Sequence, residues 1–294
     1  MTRFVTLGPS TIDVYYEAAE WPSLGDKAMI RGRSVRLGGM IANTAAALGA
    51  AGQQVVHLER IGENHADEVL ASLGRYGVDT SLVQASPTAR TCEAYVVRVD
   101  AERSILIDGD GREVLEVTPA VAAALSSADV IVTSPHELRQ PALREAVWAA
   151  RDGGARIAMD IESAGLADPA ADAESVLNST YLVINETAAA SVGLDLRELA
   201  AGGRDVLVTR GAQGVDLVGA DADLRVPAIA VQPVDTTGAS DTFFAAYLVR
   251  RCAGATAAEA AAFAVTAAGQ ATTGIGPRFG ADWLSSLTTE GNHG

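Results

Sequence analysis

The second half of the chain alternates between short apolar segments and longer helical patterns, and this alternation restricts the possible folds most. It predicts strands at 130–133, 156–160 and 181–184, separated by helices at 138–151 and near 171–177. Strands separated by helices of this length lie parallel in one sheet, because each helix returns the chain to the same edge. The sequence therefore predicts a three-layer α/β fold with a doubly wound, mostly parallel sheet.

A turn of small residues at 234–243, VDTTGASDTF, follows a strand expected to end near Val231 and opens an Ala-rich helix. The unpaired N–H groups of a helix start, together with the helix dipole, favour a bound anion. Gly238 and Ala239 leave room for a phosphate group at this point. Asp241 adds a carboxylate beside the anion, as phosphoryl transfer to a hydroxyl requires. From spacing alone, an ordinary first-turn acid that complements the dipole is an equal alternative.

Two segments in the first quarter carry residues suited to bind a polar ligand. Asp13 follows a strand at 4–7, at the edge of the sheet where open α/β folds bind ligands. Its carboxylate can accept hydrogen bonds from two sugar hydroxyls, or it can cap its own turn. Gly38 and Gly39 permit close backbone approach, and Asn43 lies one turn into the helix that follows.

Three later strand ends also carry polar candidates. Asp160 and Glu162 form a D-x-E pair that can hold Mg²⁺ directly or through water, or can be a solvated loop pair. Asn185 follows the next strand. The segment 209–214, TRGAQG, follows another strand and could by itself be a simple β-turn.

Residues 28–37 and 90–110 show the alternation and turn residues of antiparallel hairpins. They predict a small β-lid over the ligand site, which would exclude water as a competing phosphoryl acceptor. Four arginines are spread through or beside this region, and most are expected to be solvated: Arg90, Arg98, Arg103 and Arg112.

These elements, in this order, resemble the PfkB or ribokinase-like family of carbohydrate kinases. DTTGASD at 235–241 is similar to the family signature DTxGAGD, and the glycine pair with Asn43 is similar to its GGxxxN element. Asn185 falls on the family's NxxE element, and TRGAQG falls on its nucleotide element. Two positions depart from the pattern: Ser240 stands where the family has Gly, and Ala188 stands where it has an acid. The resemblance extends from Leu7 to about residue 276.

The resemblance implies ATP-dependent transfer of the γ-phosphoryl group to a hydroxyl of a ketohexose, a pentose or a keto-deoxy sugar acid. It implies Asp241 as the catalytic base. The anion hole would be formed by the N–H groups of Gly238, Ala239 and Ser240. The implied sugar ligands are Asp13, Gly38, Gly39 and Asn43. The implied nucleotide ligands are Asn185, Thr209, Gly211 and Gly214.

The resemblance also implies cofactors and a form of assembly. The cofactors are ATP and Mg²⁺, with Asp160 and Glu186 as the candidate metal ligands, and a monovalent cation is expected near Asp235. The expected assembly is a homodimer formed through the β-lid. A single domain is expected to span residues 1–294.

Composition excludes several classes of protein. The formal net charge of −15 argues against binding nucleic acid or an anionic membrane surface, either of which would require a basic patch. Cys92 and Cys252 fit no metal spacing and are expected to be reduced in a cytoplasm. No GxSxG or GxxxxGK[ST] motif is present, which disfavours a serine hydrolase and a P-loop enzyme.

Two alternatives to a sugar kinase remain open from the sequence. A nucleoside kinase would need an aromatic residue to stack on the base, and Tyr15, Tyr16 and Trp21 lie near the sugar segment. A non-catalytic sugar or nucleotide sensor of the same fold is supported by Ser240 and Ala188. Asp241, which matches the acid of the family signature, counts against the sensor alternative.

Overall fold

A central sheet with helices on both faces forms the body of the protein. The computed structural model describes residues 1–99, 102–109, 111–162, 169–219 and 221–290. Its strands are β1 (Arg3–Leu7), β2 (Thr11–Ala18), β3 (Ile30–Gly38), β4 (Gln54–Leu58), β5 (Arg60–Gly62), β6 (Gln84–Ser86), β7 (Cys92–Val99), β8 (Glu102–Asp108), β9 (Val130–Thr133), β10 (Arg156–Ile161), β11 (Tyr181–Asn185), β12 (Asp205–Thr209), β13 (Val215–Val218) and β14 (Leu224–Val226). Its helices are α1 (Met40–Ala50), α2 (Glu63–Gly74), α3 (Pro119–Ser126), α4 (Pro141–Asp152), α5 (Pro169–Leu177), α6 (Glu186–Ser191), α7 (Leu196–Ala201), α8 (Ala239–Cys252), α9 (Ala257–Ala271) and α10 (Phe279–Glu290).

The central sheet has the strand order β14-β13-β12-β11-β10-β9-β1-β4. The six strands from β12 to β4 are parallel, and β13 and β14 add an antiparallel edge. This arrangement confirms the predicted doubly wound, mostly parallel sheet. The chain leaves β1 toward β4 and later returns on the other side of β1 as β9. The strand order therefore reverses between β1 and β9, where such sheets open a crevice for ligands.

Alternate residues of the strands supply two separate cores, because successive side chains of a strand point to opposite faces. On one face, Phe4 of β1 packs with apolar residues of α1, α8, α9 and α10. On the other face, Val5 packs with apolar residues of α3, α4, α6 and α7. The helices thus form two layers around the sheet, which confirms the predicted three-layer fold.

A second sheet of four strands, in the order β3-β2-β7-β8, forms the lid. β2 pairs antiparallel with β3 and parallel with β7, while β7 and β8 form an antiparallel hairpin. The segments predicted for the lid are confirmed as β3, β7 and β8, although residues 100, 101 and 110 lie outside the described part. The prediction was incomplete, because it did not include β2. Asp13 therefore lies within a lid strand and not in a loop after β1.

The chain before α8 also differs from the prediction. The last strand ends at Val226, and no strand leads to Val231. Residues 227–233 form no ladder, and Pro227 and Pro233 cannot donate a backbone hydrogen bond there. Within the described ranges, no helix is both long and apolar enough to cross a membrane.

Candidate functional site

A cavity of about 860 Å³ lies along the carboxyl ends of the central strands. Its wall includes residues that follow β1, β9, β10 and β12, and residues of the lid strands β2, β7 and β8. It thus includes the crevice between β1 and β9, where the strand order reverses. Most of the predicted site residues contribute to its wall: Asp13, Gly39, Asn43, Asp160, Thr209, Gly211, Gly214, Gly238, Ala239, Ser240 and Asp241.

The start of α8 carries the residues of the predicted anion cradle. Gly238 precedes the helix with a φ of 77°, and a Cβ atom at this position would lie 1.9 Å from the carbonyl oxygen of Pro277. Only glycine therefore fits this position. Ser240 lies inside α8, where the helical φ suits any residue, so its departure from the family pattern does not strain the turn. Gly238, Ala239 and Ser240 line the cavity. The first N–H groups of a helix lack partners within it, although that of Ala239 donates to the carbonyl oxygen of Thr236 at 3.4 Å.

Asp241 is the buried acid of this cradle, with 6% of its surface exposed. Its Oδ2 accepts a hydrogen bond of 2.8 Å from Nδ2 of Asn43, which projects from the first turn of α1. Burial, followed by the negative charge of Glu162, raises the pKa of Asp241 from 3.8 to about 8. The hydrogen bond from Asn43 opposes this rise, because it favours the ionised carboxylate. Asp241 is therefore a buried carboxyl group whose pKa lies well above its ordinary value.

Asp13 reaches the same cavity from β2. Its Oδ1 accepts a hydrogen bond from the hydroxyl of Thr11, and burial raises its pKa from 3.8 to about 6. Gly38 lies behind it and does not line the cavity, and a Cβ atom there would come within 2.2 Å of Oδ2 of Asp13. Gly39 has a φ of 97°, and a Cβ atom there would meet the carbonyl oxygen of Pro9 at 2.3 Å. The glycine pair thus makes room for the Asp13 carboxylate and for the chain after β1.

Asp160, at the end of β10, is a further buried carboxylate of the cavity. Burial and then the charges of Glu162 and Asp241 raise its pKa well above the ordinary value. Its Oδ2 is buried and has no hydrogen-bond partner among the described residues. An unpartnered carboxylate oxygen beside other carboxylates fits a divalent cation, which would relieve their repulsion.

Glu186, the second predicted metal ligand, does not line this cavity. Its carboxylate forms an ion pair with Arg210, and its side chain is exposed. Among the described residues, no three His, Cys, Asp or Glu side chains form a group that could hold a metal. A Mg²⁺ ion commonly binds one or two carboxylates and completes its shell with water and substrate phosphates.

Only some of the residues predicted to bind the nucleotide line the cavity. Thr209, Gly211 and Gly214 line it, next to apolar residues of α8 and α9 such as Phe243 and Val265. Asn185 lies beside Thr209 in the sheet but outside the cavity wall. Its side-chain oxygen accepts the N–H of Ala188 at 2.8 Å and so caps α6. In this structure Asn185 begins a helix, which the sequence reasoning did not consider.

The lid contributes residues that the predictions did not assign. Cys92, Ala94, Ile105 and Ile107 give the lid side of the cavity an aliphatic surface. Two lid arginines also line it. Arg103 donates a hydrogen bond to Oγ1 of Thr236 in the signature, and Arg112 pairs with Glu137 at 3.1 Å. Alternation along β7 and β8 could have indicated these aliphatic residues, but no local signal indicates which arginine reaches the cradle.

Asp235, the first residue of the signature, is buried and bound by its own loop. Its Oδ1 accepts from N and Oγ1 of Thr237, at 3.0 and 2.7 Å, and its Oδ2 accepts from N of Gly276 at 3.0 Å. Burial alone would raise the pKa of Asp235, but these hydrogen bonds outweigh burial and lower it. Asp235 is therefore an ionised carboxylate that forms no ion pair with another described residue.

The fold and the cavity define a class of protein: three-layer α/β proteins with a β-lid over a crevice that holds a helix start and a buried acid. The model of the pfkB family of carbohydrate kinases matches residues 1–284. The chain belongs to this family and is therefore a phosphotransferase.

Individual relatives agree with this assignment. The chain is similar to a ribokinase from Bacillus subtilis, with 26% identity over 287 residues, which cover 95% of this chain and 96% of that protein. Its fold is similar to that of a ribokinase from Giardia lamblia, with a TM-score of 0.82, 20% identity, and coverage of 98% of this chain and 99% of the other. It is also similar to a ribokinase from Arabidopsis thaliana, solved with ribose and ATP, with a TM-score of 0.78, 22% identity, and coverage of 97% and 98%.

Proposed function

We propose that the protein transfers the γ-phosphoryl group of ATP to a hydroxyl of a small neutral sugar, such as a pentose or a ketohexose. The observation that carries this proposal is the pairing of Asp241 with the start of α8 in one cavity. A helix start with open N–H groups stabilises the charge on a phosphoryl group in transfer. A carboxylate beside it can take the proton of the attacking hydroxyl.

In this proposal each part of the cavity has one task. Asp13 and Asn43 bind the sugar hydroxyls, and Asp241 removes the proton from the hydroxyl that attacks. Thr209, Gly211 and Gly214 contact the nucleotide, and the apolar residues of α8 and α9 cover its base. The aliphatic lid residues close over the sugar and keep water from competing with it as an acceptor.

The charges around the cavity favour a neutral sugar over a sugar acid. Acidic residues of its wall outnumber the two arginines: Asp13, Glu137, Asp160, Glu162 and Asp241. One of these arginines is already paired with Glu137. Burial raises the pKa of Asp13, Asp160 and Asp241, and neighbouring acids raise that of the last two further. The same causes would disfavour an ionised carboxylate on the sugar.

Cations have two candidate places in this proposal. Asp160, with Glu162 beside it, would hold the Mg²⁺ that neutralises charge on the ATP phosphates. Asp235 would attract a monovalent cation, since it is a buried ionised carboxylate with no ion-pair partner among the described residues.

The lid also carries a surface suited to a homodimer. Val14 faces Val35 on β3 and Tyr95 on β7, and Tyr95 in turn faces Leu106 on β8. These four residues form an apolar row across the sheet, and Val35 and Leu106 at its ends are 47% and 67% exposed. A second copy of the lid would cover this row. Light scattering would show a dimer in the wild type and a monomer in Leu106→Lys.

Two alternatives are less well supported. Phe243 is the only Phe, Tyr or Trp residue of the described cavity wall, and it lies with the apolar residues of the nucleotide side. Tyr15, Tyr16 and Trp21 are absent from that wall, so a nucleoside base has no stacking partner among them. Ala188, which favoured a sensor, is fully buried in the core of α6 and packs there as an apolar residue.

The decisive experiment compares the wild type with Asp241→Asn. Each is incubated with MgATP and a panel of pentoses, ketohexoses, sugar acids and nucleosides, and sugar phosphate is measured by ³¹P NMR. Wild type should phosphorylate a neutral sugar. Asp241→Asn should lose about 10²–10⁴ in kcat, the contribution of a general base. Asp67→Asn, the same change on an exposed residue of α2, is the matched control. Retention of more than about a tenth of the rate by Asp241→Asn would contradict the assignment of the base.

A further inference from the structure

One basic side chain is buried behind Asp241, the proposed catalytic base. Arg278 lies in the turn before α10, and 8% of its surface is exposed. Among the described residues, no other Lys or Arg is buried to this extent. It does not line the cavity and so does not touch a ligand there. A charge that is removed from water without contacting a ligand must be stabilised by what surrounds it.

The contacts of Arg278 lead directly to the base. Its Nε donates a hydrogen bond of 3.2 Å to Oδ1 of Asn43, and Nδ2 of Asn43 donates to Oδ2 of Asp241 at 2.8 Å. Its Nη1 donates to the hydroxyl of Ser72 on α2. The guanidinium also lies in the field of Asp13 and Asp241, two of the acids that line the cavity. Arg278, Asn43 and Asp241 thus form a chain of two hydrogen bonds that ends at the reacting group.

This chain fixes which way the amide of Asn43 points. A guanidinium can only donate hydrogen bonds, so the atom of Asn43 that faces Arg278 must be the oxygen. The NH₂ group is then turned toward Asp241. Without Arg278, the amide could rotate by 180° and place its oxygen against Asp241, because a protonated carboxyl group can donate to that oxygen.

We propose that Arg278 is a positioning residue, which acts through Asn43 to hold Oδ2 of Asp241 and to leave Oδ1 for the substrate hydroxyl. This inference rests on the proposed function, because it takes Asp241 as the base and Asn43 as a sugar ligand. Arg278 belongs to none of the motifs that identified the other site residues.

Kinetics test the role with matched variants. Arg278→Met removes both donors with little change in length, while Ser72→Ala removes only the contact with α2. The sugar is the member of the panel that the wild type phosphorylates fastest. Arg278→Met should lower kcat/KM for that sugar by about 10- to 100-fold, as expected for loss of a hydrogen bond made by a charged group. The KM for ATP should stay within about twofold, and Ser72→Ala should stay within about threefold of wild type. Arg278→Lys, which keeps the charge, should recover part of the loss.

A double-mutant cycle separates positioning from simple support of the fold. If Arg278 acts through Asn43, Arg278→Met should cost less than about threefold when Asn43 is already Ala. Full additivity of the two losses, or equal losses in Arg278→Met and Ser72→Ala, would overturn the proposal.

Amide NMR tests the same contact without any substrate. The side-chain NH₂ signals of Asn43 are assigned by their absence from Asn43→Ala, and should shift in Arg278→Met but not in Ser72→Ala. Unchanged signals in folded Arg278→Met would refute the contact. If the wild type phosphorylates no sugar, the proposed function fails, and this spectrum still decides the role of Arg278.

Discussion

The ionisation of Asp241 should control the pH dependence of the enzyme. Its pKa is raised to about 8 by burial and by the charge of Glu162. At pH 7 about one tenth of such a group is ionised, and at pH 9 about nine tenths. A general base acts only when ionised, so activity should be lost on the acid side of this pKa. We expect kcat/KM for the sugar to rise by about tenfold between pH 7 and pH 9.

The perturbation that tests this explanation is Asn43→Ala. Asn43 donates a hydrogen bond of 2.8 Å to the buried carboxylate and thereby favours its ionised form. A hydrogen bond to a charged group contributes about 1.5–3 kcal/mol, and about 1.4 kcal/mol corresponds to one pH unit. Asn43→Ala should therefore raise the pKa of Asp241 further, by about one to two pH units.

The assay follows the carboxyl carbon of Asp241 by ¹³C NMR in the ligand-free protein, with Asp241→Asn to assign the signal. In parallel, kcat/KM for the sugar is measured from pH 6 to 10 by direct detection of the sugar phosphate. The NMR midpoint and the acid limb should both move to higher pH in Asn43→Ala. A wild-type midpoint below about pH 6, or no movement in Asn43→Ala, would refute the account of burial opposed by Asn43.

Three substitutions test other parts of the site. Asp13→Ala should raise KM for the sugar by about tenfold or more and leave KM for ATP unchanged, since a charged hydrogen-bond partner is lost; equal effects in initial-rate measurements would indicate a structural role. Ser240→Gly should keep kcat within a few-fold and lower the free energy of unfolding by about 0.5–1 kcal/mol, measured by urea denaturation. A tenfold gain in kcat would instead show that Ser240 obstructs the cradle. Gly238→Ala should nearly abolish kcat, because its Cβ atom would lie 1.9 Å from the carbonyl oxygen of Pro277 at a φ of 77°, and a wild-type rate would contradict the cradle geometry.

The central sheet could be predicted from the sequence because its signals are local. Several of its parallel strands are short apolar runs beside a helix with its own period, as at β10 and β11. The lid strand β2 could not be recognised in the same way. It is held between β3 and β7, where Arg36 and Ala94 lie opposite Asp13 in the sheet. Pairing over such separations leaves no trace in a local window.

The site shows the same division between local and distant causes. The turn and the helix start at α8 were predictable, since both are set by adjacent residues, and Gly238 has the left-handed φ of such a turn. Asn185 and Glu186 lie at the end of β11 as expected, but they are absent from the cavity wall, and their side chains contact Ala188 and Arg210 instead. Arg278 had no signal, because its significance depends on Asn43, which is 235 residues away in the chain.

Asp13, Asp241 and Arg278 bury ionisable groups at a cost to the stability of the fold, and the effect of each depends on the other two. Asp13 and Asp241 are each almost fully buried, and replacement by apolar residues of similar size would ordinarily stabilise a core. Burial raises the pKa of both, to about 6 for Asp13 and about 8 for Asp241. Both values lie near neutral pH, so a small change in the surroundings would change the protonation of either group. Arg278 lies behind them and opposes both rises without entering the cavity. A cation placed there moderates the repulsion between two acids and leaves their oxygens free, whereas a direct ion pair would occupy them. The proposed base, Asp241, would therefore still be able to accept a proton from the substrate.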